Sequence, residues 1–276
     1  MDSYTRDNEE LDQGSVIYGF RSEKYPETGC YGVIITASCD VAQCKVPKFY
    51  CLVAVEAKEW FLTDVGYAAT YEDKINNNRM NLETCAQKHE LSGAVLMNLA
   101  EEELLSVLET EVHDSRGRNE IKKYYDCYWK YVTANKDATS RKDMIRSNDK
   151  PVSDIIKKID KGQIVHYYFL PQAAYLKNGV KNAGLIVDLQ EIEILSLCDA
   201  QMIVEGKTDN MILSEEEKKR LNSHFWLKEE RDFVAIMGKI QSPWREHMMQ
   251  RFSYAFTRIG LDGATRDDYE EFAKGI

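Results

Sequence analysis

The sequence predicts an α+β protein: a small, bent antiparallel sheet or barrel, a helical insertion and a helical C-terminal tail. Two β-rich blocks, residues 14–56 and 164–204, each contain about three predicted strands. A stretch of about a hundred mainly helical residues separates them. Because three strands bury little core on their own, one sheet built from both blocks is the simplest arrangement. Two separate domains are the alternative.

Length and composition limit the class of protein. Of the 276 residues, 43% are hydrophobic and 30% charged, which is enough to bury a core. Apolar runs fall far short of the ~20 residues of a membrane span, and acidic residues stand where a signal peptide is basic. Seven cysteines in no repeated spacing favour a reducing compartment. We therefore expect a cytoplasmic protein without membrane contact.

The first part of the barrel is expected within residues 1–60. Strands are predicted at 14–20, 31–37 and 49–56, where β-branched and apolar residues cluster between Gly and Pro. The second run is continuously apolar, which is typical of a strand buried on both faces.

The helical insertion is expected at residues 61–163. Apolar residues recur there at three- and four-residue intervals, and the predicted stripe comprises Leu91, Val95, Leu99, Leu104, Leu105 and Leu108. A further helix is predicted over 118–132, and a short one over 153–162.

The second part of the barrel is expected at residues 164–204, with strands at 164–170, 184–189 and 192–197. The remaining region, 205–276, is predicted to be helical.

Two helix starts in that C-terminal region have recognisable signals. Ser214 and Glu217 fit a capping box, and Ser242-Pro243 supplies an N-cap and a first helical residue. The apolar stripe of the second helix comprises Trp244, Met248, Phe252, Ala255 and Ile259, with Gly260 as its end. A last helix is predicted from Thr265.

Charge is unevenly distributed along the chain. Residues 1–113 have 20 acidic and 9 basic side chains, whereas 114–163 have 8 acidic and 13 basic ones. The basic stretch interleaves cations with aromatic residues, so it is a candidate nucleic-acid surface. Its candidate residues are Arg116, Arg118, Lys122 and Lys123. The alternative is a solvated helical face whose aromatic residues lie in the core or in a groove for a partner.

A second candidate site lies at the end of the most hydrophobic strand, in residues 36–40. Ser38, Cys39 and Asp40 are candidate catalytic residues, because strand ends hold side chains rigidly at the surface. Cys39 would need a histidine or a helix N-terminus to lower its pKa, and His166 could face it if the two β-blocks pair. The alternative is a turn shaped by Ser38 and Asp40, with Cys39 as a small core residue.

Motifs for cofactors and metals are not recognised. Cys30, Cys39, Cys44 and Cys51 lack the paired spacing of a zinc knuckle. The sequence also has no Gly-rich phosphate loop, His-Glu-x-x-His, nucleophile elbow or calcium loop. No cofactor and no metal are predicted.

The C-terminal helix offers a cationic strip. Its candidate partner-binding residues are Arg245, His247, Arg251 and Arg258, several of which share a helix face at i, i+4 and i, i+7 spacing. The alternative is ion pairing with Asp262, Asp267 and Asp268.

The sequence has two resemblances to known proteins. The order Gln13-Gly-Ser-Val-Ile17, Tyr31-Gly-Val-Ile-Ile-Thr36 and Phe49-Tyr-Cys-Leu-Val-Ala-Val55 resembles the opening of the small β-barrel of the MazF/PemK toxin family, over roughly 60 residues. The Ser38-Cys-Asp40 turn and the segment Ser242-Pro-Trp-Arg-Glu-His247 resemble a group of bacterial proteins of uncertain role.

The resemblance implies a barrel fold and a toxin-related role. The toxins usually have arginine-proline before the second strand, where this chain has Tyr31-Gly32, and no arginine matches the catalytic one. The leading hypothesis is therefore a protein-interaction or degenerate-toxin module of a bacterial stress or antiphage system. It would bind another protein of the same operon, and it could form oligomers. The alternatives are an RNA-binding or RNA-cleaving toxin and a Cys39-dependent enzyme.

Overall fold

The computed structural model divides the chain into two compact units. The sheet unit comprises Met1–Ala57 and Lys158–Ile276, and the helical unit comprises Lys58–Lys157. The insertion predicted at 61–163 overlaps most of the helical unit. The structure describes residues 11–42, 47–147, 150–176, 183–209, 211, 213–221, 224–229 and 232–257.

The sheet unit is built on one six-stranded sheet of antiparallel strands. The strands are β1 (Ser15–Phe20), β2 (Cys30–Ile34), β3 (Lys48–Glu56), β4 (Tyr167–Pro171), β5 (Gly184–Ser196) and β6 (Ala235–Lys239). Their order is β4-β5-β3-β2-β1-β6, so the two β-blocks meet where β3 pairs with β5. The sheet curls into a half-barrel, and the predicted α+β fold is confirmed.

Helices account for most of the other regular structure. The described residues form α1 (Ser38–Ala42), α2 (Ala57–Trp60), α3 (Asp64–Gln87), α4 (Gly93–Leu96), α5 (Glu101–Glu111), α6 (Ser115–Ala134), α7 (Ala138–Ser147), α8 (Lys150–Asp160), α9 (Leu197–Val204), α10 (Glu215–Leu221) and α11 (Trp244–Thr257).

One face of the sheet is covered by an apolar core. Because side chains alternate along a strand, every second residue of each strand points to this face. The buried residues of this core include Val16, Val33, Leu52, Ala54, Leu170, Leu185, Val187, Leu189, Met248 and Ala255. Helix α11 supplies the last two, so it packs on the sheet.

Strand β5 differs from the two separate strands predicted at 184–189 and 192–197. It is continuous, but Leu52 pairs with Ile192 whereas Ala54 pairs with Val187, so extra residues of β5 form a bulge. A bulge bends a strand and leaves residues without a partner in the ladder. Residues 190 and 191, which interrupt the apolar pattern, are part of this bulge.

Three further features differ from the sequence prediction. Residues 38–40 begin a short helix, α1, rather than a turn. Helix α9 ends the region predicted as barrel up to residue 204, and strand β6 lies in the region predicted as helical. All residues of β6 are partly exposed, so no alternation marks it in the sequence, and its strand conformation depends on pairing with β1.

The curl of the sheet brings its two ends close together. Gln241 N–H donates to Ala174 O at 2.8 Å, which joins the segment after β6 to the turn after β4. A Cβ on Gly238 would lie 2.1 Å from Tyr175 O, so only glycine fits at this contact.

The predicted capping box and part of the predicted α11 stripe are found. Ser214 N–H donates to Glu217 Oε2 at 2.9 Å, and Glu217 N–H donates to Ser214 Oγ at 3.3 Å.

Trp244 is 37% exposed, which corrects its predicted burial. Trp244 is the first residue of α11, and side chains on a helix point toward its N-terminus. The Trp244 side chain therefore extends beyond the turns of α11 that pack on the sheet. Ile259, Gly260 and the predicted helix from Thr265 lie outside the described residues.

The helical unit has its own core between α3 and α6 and the shorter helices that follow α3. The buried residues are Leu82, Cys85, Ala86, Leu96, Leu104, Leu108, Val112, Ile121 and Tyr125. Val95 and Leu105, predicted in the apolar stripe, are 60% and 40% exposed, because the short helix α4 interrupts the continuous helical spacing assumed for them.

Candidate binding surfaces

The predicted catalytic residues at the end of β2 occupy helix α1. Cys39 is exposed, and its Sγ lies 3.7 Å from Asp40 Oδ1. The side chains of Ser38 and Asp12 form a hydrogen bond. Burial alone would raise the pKa of Asp12, but hydrogen bonds from Lys239 and Ser38 outweigh burial and lower it. The hydroxyl of Ser38 therefore supports a carboxylate rather than Cys39.

His166 lies directly before β4 and away from α1. Its carbonyl accepts from Leu189 N–H at 2.9 Å, whereas the Thr36 hydroxyl accepts from Tyr50 N–H, and Tyr50 pairs with Ile194. The two contacts are therefore separated along β5 by residues of its bulge. In the described part of the chain, no hydrogen bond joins His166 to Cys39, and a shared catalytic role stays a prediction.

The predicted cationic strip on α11 is used for contacts within the sheet unit. Arg251 Nη2 donates to Ile159 O at 3.4 Å, at the C-terminal end of α8, where helix carbonyls lack partners. His247 Nδ1 lies 3.2 Å from the Tyr168 hydroxyl, and Arg245 is paired with Glu246 at 2.7 Å. Arg258 lies outside the described residues. Partner binding by these residues stays a prediction.

The predicted nucleic-acid surface lies on α6. Lys122 Nζ is 2.8 Å from Glu101 and 3.0 Å from Asp126, so two carboxylates already neutralise this ammonium. Lys123 lies over the Tyr124 ring, and Arg116 is exposed.

The aromatic residues of α6 pack mainly within the helical unit. Tyr125 donates to Leu99 O at 2.7 Å, and Tyr131 stacks on Tyr71. These contacts favour the structural interpretation of the aromatic residues, and RNA binding stays a prediction.

Two negative findings concern metals and membranes. Over the ranges that the structure describes, His, Cys, Asp and Glu form no group suited to a metal ion. Within the same ranges, no helix combines the length and apolar character that crossing a bilayer requires.

A buried carboxylate fixes the bulge of β5. Asp188 is 1% exposed and accepts hydrogen bonds from Lys24 Nζ at 2.5 Å, Tyr25 OH at 2.7 Å and Gln190 N–H at 3.1 Å. Burial alone would lower the pKa of Lys24, but its bond to Asp188 outweighs burial and raises it. With three donors, Asp188 is satisfied, and it ties the β1–β2 loop to β5.

An exposed apolar surface lies at the other end of β5. Tyr50 of β3 pairs directly with Ile194, and Ile192 lies two residues away on the same face. Tyr50, Ile192, Ile194 and the nearby Leu197 are 40%, 39%, 42% and 46% exposed. We call these four residues the strand patch.

An aromatic surface lies on the same face, on the far side of β2. Tyr18 and Tyr31 pair across β1 and β2, with ring centroids 5.1 Å apart. Phe233, just before β6, lies 5.5 Å from Tyr18 and is 43% exposed. We call these three residues the aromatic row.

Comparison with known proteins leaves this geometry as the main guide to function. Searches of protein-family models, of curated proteins and of solved structures found no match for the chain. The resemblance to the MazF/PemK toxins therefore stays a prediction.

Sequence reasoning missed both surfaces, although one of them has a signal. In Glu191-Ile-Glu-Ile194, charged and apolar residues alternate, so one set must face solvent. The sequence does not show that the isoleucines are the exposed set, because that depends on which segments pack against each face of the sheet. The aromatic row has no sequence signal, since its residues come from three distant segments.

Proposed function

We propose that the chain is a protein-binding module that docks its partner on the strand patch. The observation that carries the proposal is the clustering of four large apolar side chains, each at least 39% exposed, around the paired residues Tyr50 and Ile194. Single exposed apolar residues are normal on protein surfaces, but a contiguous group typically marks an interaction site.

The surroundings of the strand patch also suit a protein partner. Lys48 Nζ lies 5.3 Å from the centre of the Tyr50 ring, so a charged group borders the apolar side chains. Protein interfaces commonly have an apolar centre within a charged or polar rim. A protein with a complementary apolar surface is therefore the proposed occupant.

The biological setting follows from the sequence resemblance alone. A partner encoded in the same operon, in a bacterial stress or antiphage system, is part of the proposal. Genes adjacent to the one for this chain supply the candidates, and co-expression with each of their products identifies the partner.

The decisive variant replaces Ile192 and Ile194 with threonine. Threonine keeps the β-branch that favours a strand but removes apolar surface. We expect affinity for the co-expressed partner to fall about tenfold or more, measured by calorimetry with the purified proteins. Met80→Gln is the matched control, because Met80 is 64% exposed and lies outside the patch. It should bind as the wild type does.

Two outcomes would contradict the proposal. The first is a folded double variant, verified by its melting temperature, that binds the partner with unchanged affinity. The second is light scattering that shows a dimer of the wild type and a monomer of the double variant, because the patch would then be occupied by a second copy of this chain.

A further inference from the structure

The aromatic row is a second, separate surface whose chemistry differs from that of the strand patch. Phe233, Tyr18 and Tyr31 form a continuous line of rings, with centroid distances of 5.5 and 5.1 Å. All three remain partly exposed, although they lie on the face that carries the apolar core. Ring faces carry partial negative charge, so a line of accessible rings favours a cation over a neutral ligand.

Two carboxylates, those of Glu56 and Asp232, lie beside the row. Tyr31 pairs with Ala54, and Glu56 lies two residues farther along β3 on the same face. Asp232 directly precedes Phe233. Among the described residues, no Lys or Arg forms an ion pair with Glu56.

The negative charges of Glu56 and Asp232 add to the effect of burial on the pKa of tyrosines in the row. Burial and then the negative charge of Glu56 raise the pKa of Tyr31 to about 12. Burial raises the pKa of Tyr18, with further contributions from Asp232 and Glu56. A cation bound here would meet rings and carboxylates together.

A neighbouring residue pair already uses this kind of contact. Lys228 Nζ lies 3.8 Å from the centre of the Trp226 ring. Trp226 adjoins the row at Gly29, where a Cβ would lie 3.2 Å from the Tyr18 hydroxyl and 3.7 Å from Trp226 Cδ1. The surface therefore holds one ammonium group beside the row, and that ammonium belongs to the chain itself.

We propose that the aromatic row, with Glu56, binds a quaternary ammonium group. A methylated ammonium suits this surface better than a primary one, since it is weakly hydrated and its methyl groups pack against rings. The carboxylate adds attraction to positive charge without requiring an N–H donor. The recognised chemistry is a trimethylammonium group, on a small molecule or on a modified lysine.

The first experiment compares choline with its neutral carbon isostere, 3,3-dimethylbutan-1-ol, in NMR titrations of the full chain. Both have nearly the same shape, so the comparison isolates the charge. We expect choline to shift the signals of Tyr18, Tyr31 and Phe233 and to bind about fivefold or more tightly than the isostere. Equal affinity for the two compounds, or no shift of these signals by choline, would overturn the proposal.

The second experiment uses variants that keep the fold. Glu56→Gln removes the charge but keeps the shape, and we expect it to weaken choline binding about fivefold. Tyr18→Leu removes one ring and should weaken binding to a similar extent. Tyr254→Leu is the control, because Tyr254 is a 50% exposed tyrosine on α11, outside both the aromatic row and the strand patch. Unchanged affinity in folded Glu56→Gln and Tyr18→Leu would refute the assigned site.

The same NMR titration distinguishes a trimethylammonium group on a small molecule from one on a modified lysine. A peptide with trimethyl-lysine is compared with the same peptide carrying unmodified lysine. Tighter binding of the trimethylated peptide than of choline identifies a protein source, and the reverse identifies a small molecule. Equal binding of the modified and unmodified peptides, like equal binding of choline and its isostere, would contradict recognition of the methylated group.

Discussion

In both the sheet unit and the helical unit, a buried charged side chain joins distant segments, but the two units use it differently. In the sheet unit, Asp188 accepts from Lys24 and Tyr25, more than 160 residues earlier in the chain. In the helical unit, Arg141 donates to Leu62 O and Asn135 O, each at 2.7 Å, and pairs with Asp64. The sheet unit buries the acceptor, whereas the helical unit buries the donor.

The difference shows how each unit depends on the rest of the chain. The sheet requires residues from both sides of the helical unit, whereas the helical unit is one continuous segment. The entropy of closing a loop grows only with the logarithm of its length, so an insertion of this size is tolerated in the sheet. The stability of the sheet unit then depends on contacts, such as those of Asp188, that join the segment before the helical unit to the segment after it.

The largest expected effect is that of Asp188→Ala. The variant removes the acceptor that the buried Tyr25 hydroxyl and the Lys24 ammonium share, so we expect it to lose roughly 3 to 5 kcal/mol of stability. Chemical denaturation measures the loss, and amide exchange should rise most in β4 and β5. Asp188→Asn keeps an acceptor and should lose less. Equal protection of these amides in Asp188→Ala and the wild type would show that the buried carboxylate is dispensable.

Arg141→Ala tests the corresponding contact in the helical unit. Two backbone carbonyls lose their donor, and the Tyr67 ring loses the guanidinium 5.7 Å from its centre. Since Asp64 is 87% exposed, its charge returns to water, and we expect a smaller cost of about 3 kcal/mol. Arg146→Ala, at an exposed position of the same helix, should change the free energy of unfolding by less than about 0.5 kcal/mol. Equal effects of the two variants would rule out a structural role for Arg141.

Gly238→Ala tests the closure of the half-barrel. The added methyl would lie 2.1 Å from Tyr175 O, so β6 must move, at a cost of about 1 to 3 kcal/mol. At Gly29 the nearest atom would be 3.2 Å away, so Gly29→Ala should cost less. Thermal melting compares the two, and a Gly238→Ala variant as stable as Gly29→Ala would mean that this close approach is easily relieved.

Alkaline pH should weaken both units. Burial is the main cause that raises the pKa of Tyr31 and Tyr168 in the sheet unit, and of Tyr71 in the helical unit, to about 12. Since the folded pKa exceeds the ordinary value of 10, the stabilisation is complete below pH 10 and is lost as pH rises toward 12. Denaturation at pH 9 and pH 11 should show the loss, and Tyr31→Phe should reduce it. Identical stability at both values would contradict the burial of these hydroxyls.

The smallest expected effect is a difference in the rates at which cysteine thiols are alkylated, and it does not involve stability. Cys39 and Cys198 are both exposed, whereas burial raises the pKa of Cys30 to about 12. We expect iodoacetamide at neutral pH to modify the two exposed thiols at similar rates and Cys30 far more slowly. Mass spectrometry of digested protein gives the rates. Much faster modification of Cys39 than of Cys198 would instead support the hypothesis of a Cys39-dependent enzyme.

The strands and the start of α10 were the most predictable parts of the fold. Of the six strands that the described residues form, five coincide with apolar, β-branched runs, and the capping box at Ser214 marks the start of α10. These features depend on neighbours in the sequence, because side-chain alternation and caps are local properties. The pairing of the two β-blocks was also predictable, since neither block can bury a core alone.

The sequence by itself determined the fold class, most strands and the start of α10. Only the tertiary structure decided the strand conformation of β6, the bulge at Asp188 and the exposure of Ile192 and Ile194. The physical reason is that a strand edge, a buried carboxylate and an uncovered face are defined by the segments packed against them. The aromatic row shows this most clearly, because Tyr18, Tyr31 and Phe233 become one surface only when β1 pairs with both β2 and β6.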